Sequence, residues 1–160
     1  MTEHEFAIVA SGLDPEADDF LDRFFEAGCD DATIAYARGA IIVSFNREAA
    51  SFEDAVRSAV SDVRAAGAAV ERVEPDTIVS LAEIAKRAGL SRSALSHYAH
   101  GLRGAGFPRP IARITTDNPL YDWPSVAAWL AERGRLPAQA AEAAAMLKSL
   151  NEELGARRTV

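Results

Sequence analysis

The sequence predicts an α+β protein with an alternating strand–helix first half and a mainly helical second half. Three observations predict it. Short apolar runs alternate with helix-period stripes over residues 1–76. The run SLAEIAKRAGLSRSALSHYAH at 80–100 places two helical stripes either side of a glycine. A tryptophan-bearing stripe and then a leucine stripe complete the chain.

Residues 5–10 (EFAIVA) form an apolar run of strand length. Asp14-Pro15 then reads as a helix start, with Asp14 at the N-cap and Pro15 at the first helical position. Ala17, Phe20, Leu21, Phe24 and Phe25 recur at helical spacing up to Gly28. The runs ATIAYA (32–37) and AIIVSF (40–45) are separated only by Arg38-Gly39, a hairpin signal weaker than Asn-Gly. Ser51, with Asp54 three residues on, resembles a capping box that opens a helix with Phe52, Val56, Ala59, Val60 and Val63 as its buried stripe. Gly67 closes that helix, and AAVERV (68–73) supplies a last strand. The order strand, helix, strand, strand, helix, strand is the ferredoxin-like, split βαβ pattern. It predicts a four-stranded antiparallel sheet with both helices on one face. Glu74-Pro75-Asp76 marks a stiff boundary, because proline disfavours helix at the residue before it. The domains expected are therefore 1–76, 77–135 and 136–160.

In the second domain Ile84 and Ala85 share a face, Gly89 supplies the turn, and Leu90 fills the space beneath it. Ser91 is placed to cap the next helix by accepting a backbone N–H. Leu95 and Tyr98 would pin that helix to the first, leaving Arg92, Ser93, Ser96 and His97 outward. This is the pattern of a helix-turn-helix, whose second helix can meet phosphates and base edges in a major groove. Gly101 ends the helix and Gly104 and Gly106 give a flexible connection. Without a preceding strand or a following Gly-Lys-Ser/Thr they do not make a phosphate loop. Ile111–Ile114 and Leu120-Tyr121, around Asp117-Asn118-Pro119, suit a small hairpin, or wing. Asp122 caps a helix carrying Trp123, Val126, Trp129 and Leu130, which Gly134 stops. Leu136, Ala140, Ala143, Leu147, Leu150 and Leu154 then follow heptad spacing, which serves either a dimer seam or docking on the chain's own domain.

Charge divides unevenly. Residues 1–76 carry 6 Lys+Arg against 17 Asp+Glu, and residues 77–160 carry 11 against 7, so the net −7 conceals a basic second half. Lys86, Arg87, Arg92, Arg103, Arg109 and Arg113 cluster in sequence around the helix pair. Local charge is what a phosphate meets, since screening sets in beyond about 8–10 Å. A single cysteine, Cys29, excludes an internal disulfide and a thiolate cluster within one chain. No apolar run is long enough to span a bilayer, and MTEHEF lacks an export signal, so a cytoplasmic protein without membrane contact is expected.

From Ser80 to Gly134 the chain resembles the MerR-like winged helix-turn-helix group, especially its excisionase-type and AlpA-type members. The resemblance is carried by LAEIAKRAGLSRSALSHYA, GFPRPI and YDWPSVAAWL and covers about a third of the chain. It implies a recognition helix bearing Ser91, Arg92, Ser93, Ser96 and His97, with Arg103, Arg109 and Arg113 as wing or backbone contacts. The connection before Phe107 is long, the first domain has no counterpart in minimal members, and the effector cysteines of metal-responsive members are absent.

Rival chemistries are weaker. His97 and His100, three apart, lack a third nearby ligand for a metal, and His100 suits a helix C-terminus. Asp14, Glu16, Asp18, Asp19, Asp22, Asp30 and Asp31 read as solvated or helix-start acids. Cys29 has no neighbouring base. No cofactor, metal or catalytic set is expected, and no enzyme. The expectation is a DNA-binding regulator of double-stranded DNA, acting as a homodimer on a palindromic site. The alternatives are an antitoxin-like adaptor working through a protein partner, or a sensor binding a small-molecule effector at an ACT-like first domain.

Overall fold

The computed structural model describes residues 1–101 and 106–158, with side chains to residue 155. The chain is mixed α+β, with a four-stranded antiparallel sheet, a two-stranded sheet and, among the described residues, six helices. It divides into two compact units, Met1–Pro75 with Ser149–Val160, and Asp76–Lys148.

The first unit runs β1 (Thr2–Ser11), α1 (Phe20–Glu26), β2 (Ala32–Ala37), β3 (Ala40–Ala49), α2 (Phe52–Ala65) and β4 (Ala69–Glu74), with sheet order β2-β3-β1-β4. Period-2 alternation sorts the residues onto two faces. Phe6, Ile8 and Ala10 on β1 lie opposite Phe45, Val43 and Ile41 on β3, and all six are buried. Glu3, Glu5, Ser44, Asn46 and Glu48 occupy the other face and are exposed. Helix α2 begins as expected, with Ser51 Oγ accepting the Asp54 N–H at 3.1 Å. It buries Ala55, Val56, Ala59, Val60 and Val63 and packs on β1, β3 and β4. The β2–β3 hairpin turns through Arg38 (φ 51°) and Gly39 (φ 79°). Positive φ at both central residues is the type I′ requirement, which glycine meets freely and arginine with some strain.

Helix α1 starts later than the Asp14-Pro15 signal implies. The Asp14 side chain accepts the Glu16 N–H at 2.9 Å, and its carbonyl accepts the Ala17 N–H at 3.1 Å. This local turn competes with helix for the same donors, and the helix begins only at Phe20. Phe20 and Phe24 then enter the core, while Leu21 and Phe25 stay about half exposed.

Arg47, at the inner face of β3, is 8% exposed. Its guanidinium donates to Asp31 Oδ2 (2.8 Å) and Oδ1 (2.9 Å), Asp62 Oδ2 (2.9 Å), Ser58 Oγ (3.1 Å) and the Gly28 carbonyl (2.8 Å). One side chain thereby ties the α1–β2 connection to α2. The same bonds hold the Asp31 carboxyl below the usual range and raise the Arg47 guanidinium further above its own.

The second unit comprises β5 (Ile78–Ser80), α3 (Leu81–Ala88), α4 (Arg92–Ala99), β6 (Leu120–Asp122) and α5 (Trp123–Glu132). It also takes the first half of α6 (Ala138–Arg158), whose remainder belongs to the first unit. The wing differs from the expected hairpin. Strand β6 pairs in register with β5, Val79 opposite Tyr121. The residues read as the other hairpin strand contribute only an Ala112–Leu120 bridge. A three-residue strand placed some forty residues before its partner carries no local periodicity, so β5 was not foreseen. The leucine stripe of α6 is largely covered within the single chain. Ala144, Leu147, Leu150 and Leu154 are all buried within the single chain. Asn151 on the same helix accepts the Val73 N–H at 2.8 Å and donates to the Val73 carbonyl at 3.0 Å, closing the outer edge of β4.

Candidate nucleic-acid interface

The second unit is organised around one aromatic-rich core. Val79, Ile84, Leu95, Tyr98, Tyr121, Trp123, Val126, Trp129 and Leu130 are buried together, with Leu81, Leu90 and Phe107 packed against them. Trp129 is its hub. Its ring meets Tyr98 edge-on at 5.1 Å and Phe107 at 5.1 Å, and the Arg133 guanidinium lies over it at 3.8 Å. Phe107, the first large residue after the segment 102–105, is thereby anchored to α5 and to Tyr121.

Two short helices sit on this core. Ser80 Oγ caps α3 through the Glu83 N–H, and Gly89 ends it in the left-handed conformation (φ 67°), where glycine has no Cβ penalty. Leu90 follows, its N–H returning to the Ala85 carbonyl at 3.0 Å. Ser91 Oγ then accepts the Ala94 N–H at 3.0 Å and starts α4. Leu95 and Tyr98 are the buried residues of α4. At about 100° per residue this turns Ser93 and His100 furthest from the core, with Ser96 and His97 next and Arg92 to one side.

The predicted residues are therefore placed as follows. Arg92 and Ser93 are exposed, and Ser96 and His97 are partly exposed. Ser91 is exposed, and its oxygen also serves the cap, which leaves its proton and one lone pair for an outside group. Arg109 and Arg113 are exposed on the segment before β6, and Arg113 takes a positive φ of 54°. The side chains of Arg92, Arg109 and Arg113 make no hydrogen bond or ion pair among the described residues. Arg103 lies outside the described residues. Arg87, counted with the basic cluster, is structural instead. It pairs with Glu83 at 3.2 Å, donates to the Asp76 carbonyl at 2.8 Å and covers the Trp123 ring. The residue that sequence reasoning left out of the outer face is His100. It is exposed, and its Nδ1 is held by the Ser96 carbonyl at 2.7 Å, leaving Nε2 unengaged. The 93, 97, 100 spacing was the available signal. Among the described residues no third His, Cys, Asp or Glu joins the two histidines in a metal-holding group.

Electrostatically, Asp76–Lys148 carries nine Lys+Arg against six Asp+Glu. Cys29, in the other unit, is fully buried. Burial, reinforced by the Asp62 carboxylate, pushes its thiol up to about 11, which makes it a poor nucleophile at neutral pH. No helix among the described residues is long and apolar enough to cross a membrane.

Asp122 supports the platform from below. It caps α5 through the Ser125 N–H at 3.2 Å and hydroxyl at 2.5 Å, and it pairs with Lys148 at 3.0 Å. Burial opposes its charge, but the bonds from Ser125 and Lys148 outweigh burial and keep its pKa below the usual 3.8. A carboxyl depressed on folding stabilises fully above its unfolded value and loses that contribution as pH falls through the folded one. Below about pH 4, tryptophan-monitored stability of Asp122→Asn is expected to fall less steeply than that of the native protein. Asparagine keeps the cap but not the charge. Equal acid sensitivity would show that Asp122 is not a source of it.

Comparison with protein-family models, curated proteins and solved structures finds no match for this chain.

Proposed function

We infer that the chain is a sequence-specific DNA-binding transcriptional regulator. In this reading the first unit is a ferredoxin-like domain, in keeping with its strand order β2-β3-β1-β4. The second is a MerR-like winged helix-turn-helix, with α4 as recognition helix and the 106–119 segment as its wing. The observation that carries the reading is α4 itself. It is capped by Ser91 and pinned by Leu95 and Tyr98, and it turns an arginine without an ion pair among the described residues, two serines and two imidazoles toward solvent. Arg92, Ser96 and His97 are the base-edge candidates, with His100 beside them. Arg109 and Arg113 are the phosphate contacts, and Arg103 is assigned that role by resemblance alone. Such a regulator works in the cytoplasm, without enzymatic activity.

Eight residues of helix extend about 12 Å, or three to four base pairs at 3.4 Å each. One copy therefore reads too little sequence for useful discrimination, and a homodimer on a palindromic site follows.

Arg92→Ala is expected to abolish retention of the chain's own promoter fragment in a gel shift. Because Arg92 is exposed and its side chain makes no hydrogen bond or ion pair among the described residues, the melting temperature should not move. Loss of one phosphate-contacting arginine, Arg109 or Arg113, should weaken binding uniformly across sequences and lower the salt slope by about one. Retention unchanged by Arg92→Ala would remove α4 from the interface.

A further inference from the structure

The sheet of the first unit has two edges, and they are treated differently. Asn151 fills the hydrogen-bonding positions of Val73 on β4. Strand β2 at the other edge pairs with no further strand among the described residues, and Thr33, Ala35, Tyr36 and Ala37 are exposed. Sheet edges are normally blunted by charge, proline or a bulge. The sequence of β2, Ala-Thr-Ile-Ala-Tyr-Ala, contains no charge and no proline, and it pairs with β3 without a break in register.

We propose that β2 is the seam of a homodimer, pairing antiparallel with β2 of a second copy so that two four-stranded sheets become one. The hydrogen-bond phase of the strand sets the register. The Asn46 N–H donates to the Asp31 carbonyl at 3.1 Å, and Ala32 lies opposite Phe45. Bonded pairs alternate along an antiparallel ladder, so Thr33, Ala35 and Ala37 bond to β3 while Ala32, Ile34 and Tyr36 direct their backbone groups outward. The Ala32 N–H is already taken by the Cys29 carbonyl at 3.2 Å, which leaves its C=O.

A twofold axis normal to the sheet must place a residue opposite its own copy. Centred on Ile34, the pairing puts Ile34 against Ile34 of the partner subunit and Tyr36 against Ala32 of the partner subunit. Two N–H···O=C bonds join the isoleucines and two run from Tyr36 to Ala32, about four in all. The large tyrosine also meets the smallest chiral side chain.

The strand ends then decide between copies of this chain and an unrelated strand. In the same register Asp30 lies opposite the partner's Arg38, and the converse holds by symmetry. Both residues are exposed, and neither makes an ion pair among the described residues. Centring on Ala35 instead would join Ile34 to Tyr36 of the partner subunit by as many backbone bonds, but it would lose the Asp30–Arg38 pairing, so the charges at the strand ends select the register. The unit is acidic overall, but repulsion between distant charges is screened beyond about 8–10 Å, so contacts at the seam dominate.

The pairing is tested on the full-length protein by sedimentation across a concentration series without DNA, so its failure is separable from failure of the DNA-binding reading. A concentration-dependent dimer is expected. Tyr36→Pro removes an outward N–H but no β3 bond, and should weaken the dimer at least about tenfold with unchanged circular dichroism. Arg38→Asp, at a turn position where aspartate tolerates positive φ, should weaken it comparably by setting like charges together. The exchange Asp30→Arg with Arg38→Asp should restore it, and this pair of variants decides the matter even if Tyr36→Pro does not fold. A protein monomeric at every concentration overturns the proposal. So does a dimer indifferent to Arg38→Asp, or an exchange that restores nothing.

Discussion

Arg47→Ala is expected to destabilise the first unit by about 3–5 kcal/mol, the loss typical of removing one partner from a buried ionic cluster. The magnitude follows from what stays behind. Asp31 and Asp62 would face each other without a cation, and the Gly28 carbonyl and Ser58 hydroxyl would lose their donor. Water could not fully replace a fork that bonds five acceptor atoms from a 10% exposed side chain. Arg47→Lys keeps the charge but cannot span Asp31 and Asp62 together, so a smaller loss is expected. Urea unfolding followed by far-UV circular dichroism measures both. Both tryptophans, Trp123 and Trp129, lie in the other unit, so their emission reports separately whether it is disturbed. A loss below about 1 kcal/mol, the range of exposed ion pairs, would mean that solvent already satisfies the cluster.

Arg47 also shows where sequence reading stops. Its partners come from the α1–β2 connection and from α2, 11 to 19 residues away. The alternation of β3 puts Arg47 on the face of Ile41, Val43 and Phe45, but it does not say which acids meet the guanidinium there. What was legible was local. The Ser51 and Ser91 caps, the Gly89 turn and the Leu95–Tyr98 pair each act within four residues, and each is found in place. The Arg38-Gly39 hairpin was legible for the same reason, although arginine in a left-handed turn weakens the signal. Two local signals were ambiguous. Asp14-Pro15 satisfies a helix cap and an Asx turn equally well, and only tertiary burial of Phe20 and Phe24 chooses between them. The heptad leucines suit a partner helix and the chain's own core equally well, and Leu147, Leu150 and Leu154 are buried within the single chain. The candidate interface was legible as a face but not as a set. Periodicity located the outer side of α4, whereas the commitment of Arg87 to Glu83, Asp76 and Trp123 depends on contacts with no spacing rule.

Trp129→Ala carries the second large effect and joins packing to the proposed activity. Truncating a buried tryptophan to alanine removes about 3–5 kcal/mol, because the lost transfer energy is compounded by a cavity. Here the cavity would open between Tyr98 on α4 and Phe107 on the segment leading to Arg109 and Arg113, the two elements that carry the candidate DNA contacts. It would also strip the Arg133 guanidinium of the ring it covers at 3.8 Å. Trp129→Ala is therefore expected to lower the unfolding midpoint seen by Trp123 emission and to weaken DNA retention, although Trp129 itself is only 7% exposed. Trp129→Phe retains an aromatic edge for Tyr98 and Phe107, and should recover most of both. The contrast with Arg92→Ala is diagnostic, since that change should remove retention while leaving stability intact. If Trp129→Ala unfolds the unit readily yet retention at low temperature is unaltered, α4 and the wing do not depend on this hub for their placement. The proposed interface would then have to rest on elements other than those two.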